Sequence, residues 1–346
     1  MSAPSSPQQS VLHLDNVEVT YHRRDGAAVR AVRGVDLVVH AGEVVGLVGE
    51  SGCGKSSLGR AAVGLEKLAA GSVTFGGKPV QTLGRRARPA ALRSLQLLFQ
   101  DPYSSLNPRR KIGHQLADGL RASGEAATSA RIFELLAMVA MPASAADRYP
   151  HEFSGGQRQR LAIGRALAAK PSMLVADEPV SALDASARAA IVTLLGELRD
   201  ETGIGLLLIS HDLGVVRQVA QRIAVMYLGK IVESGPIDAL WRDPRHPYTK
   251  ALIAAAPVAD GAGRIPVGLA GEVPNPSDPP PGCSFHPRCP IAEAQCATTD
   301  PPPLAVGGDQ VARCLFALRS SENESLHEPA GASFPAEDVT RSRVRD

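Results

Sequence analysis

The sequence predicts an α/β fold with a mostly parallel sheet. Three observations carry that prediction. Short apolar runs alternate with stretches of helical spacing from residue 11 to about residue 210. One run leads through Val48 into Gly49-Glu50-Ser51-Gly52-Cys53-Gly54-Lys55-Ser56, which fits G-x-x-x-x-G-K-[ST] and opens a helix. Another, Met173-Leu174-Val175-Ala176, ends in the acidic pair Asp177-Glu178.

Residues 11–20 alternate apolar and polar and read as a strand. Residues 37–48 hold two strand-like runs around a turn at Ala41-Gly42, and residues 55–65 read as a helix. Residues 78–90, rich in Arg, Pro and Gly, read as a loop, and 95–99 as a short buried strand. Helical spacing covers 112–140, with a flexible break at 121–129. Helices are expected over 157–169 and 185–198, and strands over 173–176 and 204–209.

The texture changes after about residue 258. Asn275-Pro276-Ser277-Asp278-Pro279-Pro280-Pro281-Gly282 can continue neither a helix nor a central strand. The chain thus divides into a flexible start (1–10), a core (11–257) with a helical subdomain (about 101–165), a Pro/Cys-rich extension (258–319) and a disordered tail (320–346).

Composition narrows the function classes. Lys and Arg number 37 against 35 Asp and Glu, a formal charge of +2, which gives no sequence-wide reason for a nucleic-acid partner. Hydrophobic residues make up 44% of the 346, enough for a full core, which excludes global disorder. No run of 18 apolar residues occurs, so a membrane-spanning helix is not expected. The first ten residues lack the basic-then-apolar layout of a secretory signal. A cytoplasmic chain is expected, with any membrane role peripheral.

The glycine-rich turn suits a phosphate site, because its backbone N–H groups and the helix start converge on anionic oxygens. Lys55 would reach the β- and γ-phosphates, and the Ser56 hydroxyl would ligate Mg²⁺. Asp177 would hold the Mg²⁺ shell, and Glu178 would polarise the attacking water.

Phe153-Ser154-Gly155-Gly156-Gln157-Arg158-Gln159-Arg160 resembles the signature motif of ABC ATPases, about twenty residues before the acidic pair. The other motifs of that family follow in its order. Tyr21 matches the aromatic that stacks on adenine. Gln100 matches the glutamine that joins the nucleotide and Mg²⁺ site to the membrane subunits. Ser181-Ala182-Leu183-Asp184 matches the D-loop, and His211 the switch histidine at the γ-phosphate.

The resemblance implies an ABC-type P-loop ATPase core with a helical subdomain. It places ATP and Mg²⁺ against Tyr21, Gly49, Ser51, Gly52, Cys53, Gly54, Lys55, Ser56, Ser57 and Gln100. Glu178 and His211 would be catalytic. Ser154, Gly155, Gly156, Gln157 and Asp184 would serve the nucleotide of a second ATPase facing head to tail.

Phe99-Gln100-Asp101-Pro102-Tyr103-Ser104-Ser105-Leu106-Asn107-Pro108-Arg109 and Arg245-His246-Pro247-Tyr248-Thr249-Lys250 are similar to motifs of oligopeptide/dipeptide importer ATPases, and Asp177-Glu178-Pro179-Val180-Ser181-Ala182-Leu183-Asp184 is similar to the same group, closest to its F-type subunit. That similarity implies a related ATPase partner, two permease subunits and an extracytoplasmic peptide-binding protein. It places the chain on the cytoplasmic face of the membrane. Nickel, glutathione or an oligosaccharide are alternative cargoes within the group. A soluble ABC ATPase acting on nucleic acid is a further alternative. It usually needs two tandem units or a long coiled coil, which this sequence lacks.

Cys283, Cys289, Cys296 and Cys314 are separated by five, six and seventeen residues. Four thiolates in a Pro-rich segment suggest a metal that holds the segment folded. The paired C-x₂₋₄-C knuckles usual for zinc are missing, while four thiolates also suit an iron–sulfur cluster. Cys283-Ser284-Phe285-His286-Pro287-Arg288-Cys289-Pro290 is similar to the cysteine motif of peptide-importer ATPases, some of which hold a [4Fe–4S] cluster. A cluster, zinc, and free or paired thiols all stay open.

Overall fold

The computed structural model describes residues 10–22, 26, 28–84, 88–101, 105–256 and 271–319. Its first elements are β1 (Ser10–His22), β2 (Ala28–His40), β3 (Val44–Val48), α1 (Lys55–Ala62), β4 (Ala70–Phe75), β5 (Lys78–Pro79) and β6 (Leu95–Leu98). Three helices follow, α2 (Ile112–Ala122), α3 (Ser129–Met138) and α4 (Gly155–Leu167). Then come β7 (Met173–Asp177), α5 (Ala185–Thr202), β8 (Gly205–Ser210), α6 (Leu213–Val219), β9 (Arg222–Tyr227) and β10 (Lys230–Pro236). Two helices, α7 (Ile237–Arg242) and α8 (Pro247–Ala255), and two strands, β11 (Leu304–Gly307) and β12 (Gln310–Ala312), complete the described chain.

The strands form two sheets. One is antiparallel, in the order β2-β1-β4-β5; the other has eight strands, in the order β11-β12-β10-β9-β3-β8-β7-β6. The run from β9 to β6 is parallel throughout. Its central strands β3, β7 and β8 are buried at every residue, as a sheet covered on both faces requires. Alternation divides them between two cores. Val44, Val48, Leu174, Ala176, Leu206 and Leu208 face the helical layer. Val45, Leu47, Met173, Val175, Leu207 and Ile209 face α1 and the antiparallel sheet.

Local signals end the helices where the chain must turn. A Ser154–Gln157 capping box starts α4, and the Thr128 side chain accepts from Arg131 N–H at the start of α3. Gly203, at φ 66°, stops α5 in the left-handed conformation that glycine adopts at least cost.

The α/β class, the parallel core and the break between α2 and α3 follow the sequence reading. Several elements do not. Residues 28–36 extend β2 well before residue 37, because the strand is half-exposed and its apolar signal is diluted. The loop expected over 78–90 begins with β5. The extension also contributes β11 and β12, and β12 pairs antiparallel with β10 of the core sheet. The flexible start through residue 9, the boundary near 258, Pro102, Tyr103 and Ser104, and the tail 320–346 lie outside the described residues. Among the described residues, no helix is long and apolar enough to cross a membrane.

Candidate functional site

Parallel register brings four separated motifs to one level. Val48 pairs with Ser210, Asp177 with Ile209, and Leu98 with Ala176. Gly49 and His211 therefore each follow one residue past a paired position. Glu178 and Gln100 each follow two residues past the Ala176–Leu98 pair. This is the crevice beyond the carboxyl ends of the strands, where open α/β sheets bind ligands.

The loop after β3 needs its glycines. A Cβ at Gly54, the residue preceding α1 at φ 109°, would lie 2.1 Å from the Ala31 carbonyl oxygen. A Cβ at Gly49 would lie 2.1 Å from the Met226 oxygen. Ser51 and Gly52 are exposed, so the mouth of the loop is open. Lys55 is buried and donates to the carbonyl oxygens of Gly49 (2.8 Å) and Glu50 (3.0 Å). Phosphate oxygens could replace those acceptors. Cys53 is buried beneath the loop, its Sγ 3.8 Å from Lys55 Nζ, and burial raises its thiol pKa.

Ser56 and Asp177 already meet: the Ser56 hydroxyl donates to Asp177 Oδ1 at 2.8 Å. Burial raises the Asp177 carboxyl above its ordinary value, and a divalent cation would reverse that by stabilising the anion. Tyr21 donates through its hydroxyl to Ser57 Oγ at 3.1 Å, which ties β1 to the first turn of α1. Gln100 is exposed just past β6.

Glu178 has a left-handed backbone, φ 51°, and is almost fully buried. Such a conformation costs about 1–3 kcal/mol in a non-glycine residue and gathers at functional sites. It turns the side chain out of the strand direction, and Oε2 lies 2.7 Å from His211 Nδ1. A carboxylate oriented by an imidazole can order a water molecule.

The signature residues form a helix start of their own. Ser154 and Gln157 bond each other at the start of α4. Gly155 and Gly156 lie against Leu183 and Ala187, so this motif and the D-loop pack as one unit. Asp184 caps α5, accepting from Ala187 N–H and the Ser186 hydroxyl, and the first of these bonds lowers its carboxyl pKa.

The cysteines differ from the sequence expectation. Cys296 and Cys314 are buried in a small core that Cys283 touches, and Cys283 N–H donates to the Cys296 carbonyl at 2.9 Å. Cys289 packs against the main core. Burial pushes its thiol pKa up to about 12, with the other three cysteines adding to the rise. The donor chemistry suits a soft metal or cluster. The arrangement does not: among the described residues, no group of three or more His, Cys, Asp or Glu side chains is placed to hold a metal ion. The four-cysteine metal site read from the sequence is therefore not assembled in this structure.

The sequence reading missed several residues that organise the site. Glu233, buried in β10, accepts from the N–H groups of Arg245 and His246 and from Gln310 Nε2. Tyr248 and Arg288 both hold Glu50 of the phosphate loop. A carboxylate within the apolar Ile231-Val232-Glu233 run was the available signal for the first.

Residues 32–181 match the ABC transporter family model, and 232–296 match the oligopeptide/dipeptide transporter C-terminal region. A probable peptide ABC transporter ATP-binding protein of Sinorhizobium fredii is 48% identical, over 86% of each chain. The oligopeptide transport ATP-binding protein OppF of Escherichia coli is 41% identical, over 87% of this chain and 95% of its own. The chain belongs to the ABC transporter ATP-binding proteins. Among solved structures, a dimeric ATP-binding cassette in a post-hydrolysis state with ADP and Pi is similar at TM-score 0.59 and 29% identity. It covers 65% of this chain and 98% of its own. The fold of this ABC ATPase is thus the cassette fold, with ATP and Mg²⁺ the expected ligands of the loop at Lys55.

Proposed function

We propose that this ABC ATPase powers an importer for oligopeptides or dipeptides at the cytoplasmic face of a membrane. The carrying observation is the C-terminal match over 232–296, joined to relatives named for peptide or oligopeptide transport at 41–48% identity. This favours peptide import over the other cargoes and over a nucleic-acid substrate. The proposed division is a cassette over 11–257, with a helical subdomain at about 101–165, and an extension over 258–319.

In this reading Lys55 exchanges its carbonyl partners for the β- and γ-phosphates, and Ser56, Asp177 and Gln100 hold Mg²⁺. Tyr21 stacks on adenine. Glu178 orders and deprotonates the attacking water, and His211 holds Glu178 while contacting the γ-phosphate. Ser154, Gly155, Gly156, Gln157 and Asp184 close over the nucleotide of a second ATPase. The dimeric state of the similar solved cassette supports that assignment. Closure supplies positioning and charge neutralisation, the main components of phosphoryl-transfer catalysis. Gln100 passes the closure to two permease subunits, and a peptide-binding protein delivers cargo.

Affinity capture of the chain from mildly solubilised membranes tests the assembly. Two permeases, a second ATPase and a peptide-binding protein are expected. Recovery with ribosomes or DNA-repair proteins, and without permeases, would overturn it. A metal or cluster on Cys283, Cys289, Cys296 and Cys314 is a separate proposal, supported by the donor set alone. Iron, sulfide and zinc assays on anaerobically purified protein test it, and protein with none of the three refutes it.

A further inference from the structure

The phosphate loop is anchored from outside the cassette core. Arg288, in the cysteine motif of the extension, forms two bonds to one carboxylate: Nη1 to Glu50 Oε2 at 2.7 Å and Nη2 to Glu50 Oε1 at 3.0 Å. Its side chain is 3% exposed, so this is no surface pair. The guanidinium also lies 3.4 Å from the Tyr227 hydroxyl and near the Tyr227 and Phe285 rings, at 5.8 and 5.9 Å. A second anchor reaches the same loop residue. The Glu50 N–H donates to the Tyr248 hydroxyl at 2.8 Å. Tyr248 is fully buried in an aromatic cluster with Tyr227 and Phe285.

Both anchors fall within 232–296, the segment matched by the oligopeptide/dipeptide transporter region, and outside 32–181. The residue they hold is one of the two whose carbonyls accept from Lys55. A path of direct bonds thus runs from Arg288 through Glu50 to Lys55.

We propose that Arg288 is a positioning residue for ATP binding: it fixes Glu50 so that the phosphate loop presents Lys55 and its N–H groups to the nucleotide. The extension is in this respect part of the ATP site. A bidentate, part-buried guanidinium–carboxylate pair fixes the position of the Glu50 side chain. Removing either partner ends this bidentate clamp on the Glu50 carboxylate, and the loop can then sample conformations that do not bind phosphate. Uniform loss of binding, with little change once ATP is bound, is the expected signature.

This inference rests on the ATP-binding reading, and the test separates the two. Mg-ATP affinity of the full chain is measured by titration with a fluorescent ATP analogue, alongside steady-state ATPase kinetics and thermal unfolding. Arg288→Ala and Glu50→Gln are each expected to raise Kd and KM about tenfold, with kcat within about twofold of the parent. The double variant should be no weaker than the worse single, because both remove one interaction. Arg288→Lys should recover part of the loss. Glu50→Gln keeps the extension's own residues intact, so it carries the test if Arg288→Ala unfolds the extension. Parent-like Kd in Glu50→Gln, or losses that multiply in the double variant, would overturn the proposal. A parent chain that binds no Mg-ATP would overturn the nucleotide reading itself.

Discussion

At the carboxyl ends of the parallel strands, Asp177 ends β7, Glu178 and His211 each follow their strand by one residue, and Lys55 opens the helix after β3, so strand register and one strand-to-helix turn bring these motifs to one level. The extension works differently. Between Gly271 and Arg319 the regular backbone amounts to two short strands and two single 3₁₀ turns. There, beside the short β12–β10 pairing, position depends on side-chain ties: Glu233 to Gln310, Lys230 to Asp300, Arg33 to Ser284 and Arg288 to Glu50. Where backbone hydrogen bonds fix the geometry, spacing in sequence predicts proximity. Where side chains fix it, spacing predicts little.

The largest expected effect lies on the register-built side. Glu178→Gln should keep Mg-ATP binding and lower the hydrolysis rate by about 10²–10⁴-fold, the usual contribution of a positioned base. Turnover equal to the parent, measured by phosphate release, would remove Glu178 from the chemistry. Next comes the central tie of the extension. Glu233→Ala leaves the Arg245 and His246 N–H groups without their acceptor and the Gln310 amide with only the Asp243 carbonyl, and should cost roughly 3 kcal/mol in urea unfolding. A loss below about 1 kcal/mol would show that water replaces the carboxylate.

These two regions also differ in what could be read from sequence. The phosphate loop, the acidic strand end, the signature helix start and His211 were legible because each is a short motif on a regular element. The α4 capping box is itself a sequence pattern. The cysteine segment was less legible. Four thiols in one segment suggested four ligands; in the structure Cys296 and Cys314 belong to a small core, Cys289 packs on the main core and Cys283 touches both, and among the described residues no group of three is placed to hold a metal ion. Arg288 was invisible for the opposite reason. It stands within the quoted cysteine motif, yet its partner Glu50 lies 238 residues away, and no local periodicity links them. Strand β10 was missed because its burial alternates imperfectly around Glu233.

A pH series sharpens the contrast between the two regions further. Burial lowers the His246 pKa from 6.5 to about 3, and its Nδ1 accepts from Tyr248 N–H. The unfolded chain takes up a proton as pH falls through about 6.5, while the folded chain stays neutral until near pH 3. Stability from this residue is therefore complete above about pH 6.5 and declines below it, by roughly 2 kcal/mol at pH 5. Urea unfolding at the two pH values checks this. His246→Asn should flatten the difference, and an unchanged slope would place the titration elsewhere. The smallest effect is expected at the exposed Arg30–Glu18 pair of the antiparallel sheet. Arg30→Ala should change unfolding free energy by less than about 1 kcal/mol, and less still at high salt.

The pairing of β12 with β10 has a consequence for any shortened form of the protein. A cassette cut off before residue 271 would lose β11 and β12 and bare one flank of β10. The N–H and C=O groups of that flank would then be open to strands of other molecules. Lost solubility and self-association are the expected penalties of such a truncation, before any change in chemistry. The appendage therefore also acts as a cover against unwanted strand pairing.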